Sequence, residues 1–112
     1  MVKNKVIEQD TRIQEMQMLE QNLQNLLLQK QAFQMELNET QSASKEIEGS
    51  GEEVYKIIGQ LMLKTSKSKI KEELANKNKI LSLRIKTLEK QQNSLTEQID
   101  KLQEEAMKNL KK

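Results

Sequence analysis

One stretch of this chain, residues 54–65 (VYKIIGQLMLKT), is apolar but lacks the spacing of an amphipathic helix. Branched and aromatic residues precede Gly59 and Gln60, and more apolar residues follow them. This pattern predicts two short strands joined by a glycine-containing turn. A lone hairpin is marginally stable in water, because its edges are unpaired and no second layer covers its apolar surface.

We therefore expect the hairpin to pair with hairpins of other subunits. The alternative is a hairpin that folds back onto the helices of its own chain, although two helices offer a narrow surface for covering both faces. The predicted oligomer interface comprises Val54, Tyr55, Ile57, Ile58, Gly59, Leu61, Met62 and Leu63.

Residues 1–48 are predicted to form one helix. Seam positions recur in alternating steps of three and four, which is the heptad pattern of a coiled coil. The helix is expected to end near Gly49, since a glycine after a helix readily takes the left-handed conformation that stops it. Residues 49–53 then link the helix to the hairpin. The seam consists of Met16, Leu19, Leu23, Leu26, Lys30, Phe33, Leu37, Thr40, Ser44 and Ile47.

Residues 68–112 are predicted to form a second helix, with Ser68 as its N-cap. Leucine recurs here every seven residues, which again indicates a coiled-coil seam. The leucine positions are Leu74, Leu81, Leu88, Leu95 and Leu102. The alternating seam positions are Asn78, Ile85, Gln92, Ile99 and Ala106.

The two predicted helices are similar in length and are joined by an element that reverses the chain. This favours a mostly α fold, a long antiparallel two-helix coiled coil with one β-hairpin at its apex, in a single domain over residues 1–112. In such a pair, the residue numbers within each layer share one sum. The layers that satisfy this are Leu19–Ile99, Leu23–Leu95, Leu26–Gln92, Lys30–Leu88, Phe33–Ile85, Leu37–Leu81, Thr40–Asn78 and Ser44–Leu74.

The pattern changes at the open end of the predicted coiled coil, where the seam would place Arg12 opposite Ala106. Most of the apolar side chains near this end fall outside the seam, and exposed apolar groups commonly mark a binding surface. The alternative is a local shift of heptad phase that packs them together. The predicted binding residues are Val6, Ile7, Ile13, Met16, Ala106, Met107 and Leu110.

The composition argues against several functional classes. The chain has no His and no Cys, so the usual proton shuttle, thiolate nucleophile and commonest metal ligands are missing. We expect no enzymatic activity, no metal and no cofactor. Charges of both signs are interleaved and the net charge is +2, which is not typical of a nucleic-acid-binding protein. No segment is apolar enough to span a membrane, and the charged N-terminus is unlike a signal peptide, so a cytoplasmic location is expected.

A parallel leucine zipper with a basic DNA-contacting segment is a further alternative for residues 64–102. The basic residues of the segment 64–80 are all lysines, and lysine lacks the guanidinium fork that forms two hydrogen bonds with guanine. This arrangement would also leave the first helix without a partner. The sequence therefore favours the antiparallel pairing.

Together these elements and residues resemble the beta-class subunits of prefoldin, the hexameric cochaperone of archaea and eukaryotes. The resemblance covers nearly the whole chain, and a single hairpin marks the beta class. Its most specific parts are residues 53–56 (EVYK) with Gly59, residues 61–63 (LML) and residues 37–40 (LNET); residues 29–31 (QKQ) and 69–74 (KIKEEL) are similar too.

The resemblance implies a hetero-hexamer with prefoldin alpha subunits, two alpha and four beta, whose hairpins join into a β-barrel body. It also implies an ATP-independent holdase that captures unfolded client proteins at the coiled-coil tips and delivers them to a group II chaperonin. The alternative function is a structural or tethering coiled-coil subunit with one dedicated partner.

Overall fold

The structure is a computed structural model that describes the backbone of residues 2–110 and the side chains of residues 11–108. Helix α1 spans Val2–Glu48, strand β1 Glu53–Ile58, strand β2 Leu61–Ser66 and helix α2 Lys67–Leu110. The predicted order of helix, hairpin and helix is confirmed. Each strand is one residue longer at the helix side than predicted. Over the described residues, neither helix is long and apolar enough to cross a membrane.

Contacts group the chain into two units, and each contains a part of both helices. The hairpin unit spans Gln31–Lys86. The arm unit combines the chain up to Lys30 with the chain from Thr87 onwards. Within each unit the segments of α1 and α2 pack against each other in antiparallel orientation, because the hairpin reverses the chain between them.

The core of the hairpin unit is a small apolar cluster in the seam. Leu37, Leu81 and Ile85 are buried, and Phe33 packs against them. The Arg84 guanidinium lies 5.5 Å from the centroid of the Phe33 ring, within the range of a cation–π interaction. This cluster confirms the predicted layers Phe33–Ile85 and Leu37–Leu81, since a slip of one heptad would separate these residues.

The arm unit has its own buried seam, formed by Leu26, Leu88 and Ile99. Lys30 also lies in this seam and is half-buried. Its ammonium donates a hydrogen bond to Gln92 Oε1 at 3.3 Å and lies 3.6 Å from Glu89 Oε1. Lysine is tolerated there because its apolar stem packs along the seam while the charged end reaches polar partners.

Burial follows the predicted heptads along both helices. Every predicted seam position from Met16 to Ile47 and from Leu74 to Ala106 is buried or half-buried. The positions between them are almost all exposed. The spacing of apolar residues therefore predicted the packed face of each helix residue by residue.

In the predicted polar layer near the hairpin, Thr40 and Asn78 each hydrogen-bond to a group outside the layer. Thr40 is buried, but its hydroxyl donates to the Glu36 carbonyl oxygen of its own helix at 2.7 Å. A threonine within a helix commonly bonds the carbonyl four residues before it. The Asn78 amide instead donates to Ser44 Oγ at 3.4 Å. Asn78 Oδ1 is buried without a hydrogen-bond partner in the described part of the chain.

Helix α1 ends at Glu48 as predicted, but not through a left-handed glycine. Only Gly59 of the three glycines has a positive φ. The Ser50 hydroxyl donates to the Ile47 carbonyl oxygen at 2.7 Å. The Lys67 ammonium donates to the carbonyl oxygens of Glu48 and Ser50 at 3.0 and 3.1 Å. These donors pair with carbonyl groups at the end of the helix, which the helix itself leaves unpaired. The positive charge of the ammonium is also favourable at the negative, C-terminal end of the helix dipole.

Helix α2 begins at Lys67, and its N-cap is Ser66; the prediction of Ser68 was wrong. The Lys69 backbone N–H donates to Ser66 Oγ at 3.3 Å. The Lys67 backbone N–H donates to the Glu52 carbonyl oxygen at 3.1 Å. Strand β2 therefore continues into the helix without a linker, and the last residue of the strand is already in the capping position.

An ion pair joins the end of α1 to the first turns of α2. The Lys71 ammonium lies 2.7 Å from Glu48 Oε1. The hydrogen bond from Lys71 lowers the pKa of the Glu48 carboxyl, and the charge of Lys67 acts in the same direction. A pKa lowered by folding means that the pair stabilises the fold at neutral pH, and that this contribution is lost as the pH falls through the folded-state pKa. Both groups are exposed, so the contribution is small.

Replacing Leu81 with Ala should lower the free energy of unfolding by about 2–4 kcal/mol, because Leu81 is only 3% exposed and its loss leaves a cavity. The matched control is Leu28→Ala, since Leu28 is 64% exposed and a surface change should stay within about 0.5 kcal/mol. Urea unfolding, monitored by circular dichroism at one protein concentration, measures the free energy of unfolding of both variants. Equal losses in the two variants would contradict the assigned seam.

Candidate functional site

The hairpin has a two-residue turn. Strands β1 and β2 are antiparallel, and Ile58 pairs with Leu61 across the turn. Gly59 has a φ of 60°, whereas Gln60 does not have a positive φ. This is the conformation of a type II′ turn, which requires glycine at its first central position and matches the twist of paired strands. The predicted hairpin and its glycine turn are confirmed.

Side chains alternate between the two faces of the hairpin, and residues that pair across the strands share a face. The Tyr55 face carries Glu53, Tyr55, Ile57, Met62, Lys64 and Ser66. The Lys56 face carries Val54, Lys56, Ile58, Leu61, Leu63 and Thr65. Each face therefore combines apolar side chains near the turn with polar or charged ones nearer the helices.

The apolar side chains near the turn are exposed on both faces. Ile57 is 69% exposed on the Tyr55 face, and Leu61 is 65% exposed on the Lys56 face. Of the eight predicted interface residues, only Val54 is half-buried. The hairpin is thus not covered by the helices of its own chain, and the alternative of a hairpin folded back onto them does not match the structure. The exposed large apolar residues are Tyr55, Ile57, Ile58, Leu61, Met62 and Leu63.

Among the described side chains, the ion pairs of the hairpin lie away from its turn. Lys56 Nζ lies 2.8 Å from Glu73 Oε2 of α2. Lys64 Nζ lies 3.0 Å from Glu53 Oε1 across the strands. The Lys56 pair thus joins the hairpin to α2, and neither pair involves the turn or its apolar neighbours.

The two strand edges offer unpaired backbone groups. Since Ile58 and Leu61 close a two-residue turn as a hydrogen-bonded pair, every second residue points its N–H and C=O away from the partner strand. The outward residues include Tyr55 and Ile57 on β1, and their partners Lys64 and Met62 on β2. The described sheet has two strands, so both of its edges are available for pairing with other strands.

The predicted binding residues at the helix ends divide into three groups. Ile13 is 52% exposed and Met107 is 62% exposed, and both lie in the arm unit. Met16 and Ala106 are half-buried because they occupy seam positions. The side chains of the remaining residues, Val6, Ile7 and Leu110, lie outside the described part of the chain.

Other large apolar residues are exposed that are not among the predicted interface or binding residues. They lie off the seam, on the outer faces of the helices. Their apolar character outside the heptad positions could have identified them from the sequence. Heptad spacing, however, selects the seam positions alone. These residues are Met18, Leu27, Leu28, Met35, Ile80 and Leu83.

The described side chains form no group of three or more His, Cys, Asp or Glu suited to a metal ion. What the described surface offers is apolar side chains and unpaired strand edges. These features bind other polypeptides, by burial of apolar area and by backbone hydrogen bonds.

Comparisons with known proteins agree with this architecture. A family model described as "Prefoldin subunit" matches residues 10–112. The prefoldin subunit beta of Pyrobaculum aerophilum is 39% identical over 92 residues, which are 80% of this chain and 73% of the relative. The prefoldin subunit beta of Sulfurisphaera tokodaii is 37% identical over 98 residues, which are 86% of this chain and 78% of the relative. The crystal structure of the prefoldin beta subunit from Thermococcus strain KS-1 matches with a TM-score of 0.85 and 33% identity over 92% of each chain.

Replacing Gly59 with Ala should destabilise the hairpin by about 1–2 kcal/mol, because a Cβ makes the left-handed region unfavourable. Steric contact plays no part, since a Cβ at Gly59 would meet no atom within 4 Å. Gly51 is equally open and has no positive φ, so Gly51→Ala is the matched control and should not destabilise the chain. Thermal unfolding of both variants at one concentration tests this, and a control as unstable as Gly59→Ala would contradict the assigned turn.

Proposed function

Because the chain belongs to the prefoldin family, as a beta subunit, we propose that it works as an ATP-independent holdase within a larger assembly. In this proposal it captures unfolded proteins at the ends of its helices and delivers them to a group II chaperonin. Membership of the family supports a chaperone role and assembly with other prefoldin subunits. The finer steps of capture and delivery are our proposal.

The observation that carries the proposal is the hairpin with apolar side chains exposed on both faces. Burying a large apolar side chain contributes roughly 1.5–3 kcal/mol, so an interface that covers Ile57 and Leu61 stabilises the assembly substantially. A surface of this kind on one small element is typical of a protein–protein contact. We therefore assign the oligomer interface to the eight hairpin residues from Val54 to Leu63 predicted from the sequence.

Two free strand edges favour a closed assembly of hairpins. If a strand of another subunit pairs with the backbone of Ile57 on β1, and a third pairs with Met62 on β2, the exposed edges disappear. Full closure into a barrel removes edges altogether. This supports a β-barrel body, for which we propose the family composition of two alpha and four beta subunits.

Capture of unfolded proteins is assigned to the helix ends. The exposed side chains of Ile13 and Met107 support this assignment, together with the flexibility of methionine, which adapts to varied partners. One subunit offers few apolar groups and should bind an unfolded segment weakly. Several subunits that hold the same chain can raise the overall affinity by about 10²–10⁴, and weak single contacts allow transfer to a chaperonin.

The proposal assigns no catalytic step and no cofactor to the chain. It includes a cytoplasmic location and no nucleic-acid or membrane partner. The alternative, a tethering subunit with one dedicated partner, uses the same exposed hairpin. The two functions differ in selectivity, because a holdase protects many unrelated unfolded proteins and a tether does not.

Replacing Ile57 and Leu63 together with Asp should convert the assembly into helical monomers, because an apolar interface cannot solvate the new carboxylates. Native mass spectrometry, with and without a prefoldin alpha subunit, measures the mass, and circular dichroism checks the helices. The matched control places Asp at Met18 and Leu28, which are exposed on the helices, and should keep the parent mass. A hairpin variant of unchanged mass would show that the interface lies elsewhere.

Removing residues 1–12 together with 106–112 should abolish suppression of aggregation while leaving the assembly intact, because the proposed client contacts lie at the helix ends. Light scattering of several unrelated denatured proteins, without ATP, measures the suppression. Replacing only Ile13 and Met107 with Ser should weaken it without shortening the chain. Equal protection by the trimmed protein would refute the assignment to the helix ends, and protection of a single partner would favour the tether.

A further inference from the structure

An open groove of about 500 Å³ lies between α1 and α2 within the arm unit. The buried Leu26 and half-buried Leu95 lie at its base. The remaining lining residues are exposed and uncharged. They are Asn22, Asn25, Gln29, Gln91 and Ser94.

The absence of charge in this lining is notable in a chain of which 32% is charged. Positions that flank a coiled-coil seam commonly carry charged residues that pair across the helices. The hairpin unit follows this pattern, since Lys77 Nζ lies 3.9 Å from Glu36 Oε1. In the groove the same heptad position is held by Asn22, Gln29 and Gln91. Amides thus hold this heptad position around the groove, while the ion pair of the arm unit involves other positions, Lys30 and Glu89.

The four amides of the groove also lack internal partners. The side-chain amides of Asn22, Asn25, Gln29 and Gln91 make no hydrogen bond with another residue in the described part of the chain, while Ser94 Oγ lies 3.5 Å from Gln98 Nε2. Each primary amide offers two donors and a carbonyl acceptor. A row of such groups matches the alternating N–H and C=O of an extended polypeptide, whatever its sequence.

We propose that this groove binds the main chain of an unfolded polypeptide, as a second contact beside the helix ends. The inference rests on the proposed function and adds a subsite to it. The amides pair with backbone groups of the bound segment, and Leu26 and Leu95 contact its apolar side chains. An uncharged lining accepts acidic and basic segments alike, because it neither attracts nor repels either charge.

The position of the groove fits one continuous bound segment. Ile13 and Asn22 lie on the same helix, nine residues apart in sequence, which is roughly 14 Å along the axis at 1.5 Å per residue and about half a turn around it at 3.6 residues per turn. An extended polypeptide that also passes around half of a helix about 10 Å across needs about six residues at 3.3 Å each. A segment of about a dozen residues can therefore reach both the helix end, which contacts its apolar side chains, and the groove, which contacts its backbone.

The test uses a groove variant in which Asn22, Asn25, Gln29 and Gln91 are all replaced by Ala. Alanine has the highest helix propensity, so the helices are retained. The matched control replaces four exposed amides of the same helices outside the groove: Gln17, Gln21, Gln24 and Asn93. Circular dichroism and native mass establish that both variants keep the fold and the assembly of the parent.

The probes are a fluorescently labelled, unstructured 20-residue peptide and the same peptide with alternate backbone nitrogens methylated. Methylation removes main-chain donors and keeps the side chains. Fluorescence anisotropy measures binding to the assembled protein. The parent and the control variant should bind the methylated peptide about three- to tenfold more weakly than the unmodified one, the range expected for loss of one or two hydrogen bonds. The groove variant should bind both peptides equally, at the weaker level.

A groove variant that still discriminates between the peptides would overturn the proposal. So would a groove variant that binds the unmodified peptide like the parent while the Ile13→Ser, Met107→Ser protein loses binding; in that case the proposed function stands without the groove. A parent protein that binds neither peptide would refute capture itself. A lower native mass in the groove variant alone would show that another copy of the chain occupies the groove.

Discussion

The packing of Leu37 against Leu81 and Ile85 is the interaction on which the rest of the structure depends. It fixes which turn of α1 faces which turn of α2 in the hairpin unit, and Phe33 extends the same layer. Once this register is set, the chain between the helices has the length of one tight hairpin. A slip of one heptad would change that length, and the cap, ion pairs and two-residue turn would no longer fit together.

The hairpin is anchored at its base and uncovered at its turn. Lys67 satisfies the end of α1, Ser66 caps α2, and Lys56 reaches Glu73. These contacts fix where the strands begin, yet they cover little apolar area. The apolar side chains near Gly59 remain in solvent in the single chain. An element that is positioned rigidly but left uncovered is suited to assembly with other subunits, which is the role that the family membership supports.

Polar residues in the seam limit how strongly the helices hold together. Lys30 and Gln92 occupy seam positions in the arm unit, and Thr40 and Asn78 do so in the hairpin unit. Polar seam residues favour one register and reduce stability relative to apolar ones. Asn78 Oδ1 has no partner in the described part of the chain, which adds to this loss. The pairing is therefore specific at the expense of some stability.

The sequence by itself determined the helices, the hairpin and the seam. Heptad spacing and strand propensity are local patterns, and they indicate directly which face of each helix packs. It also located the exposed apolar residues around Gly59, since only that stretch is apolar without helical spacing. The tertiary structure decided what depends on neighbours distant in sequence. Lys67 replaces a left-handed glycine at the end of α1, Ser66 rather than Ser68 caps α2, and the amide groove forms only where two helix flanks meet. The Lys67 bonds reach 19 and 17 positions back along the chain, and Ser66 becomes the cap because β2 runs up to it, held by the Lys67 N–H bond to the Glu52 carbonyl oxygen. No local pattern specifies contacts of this kind.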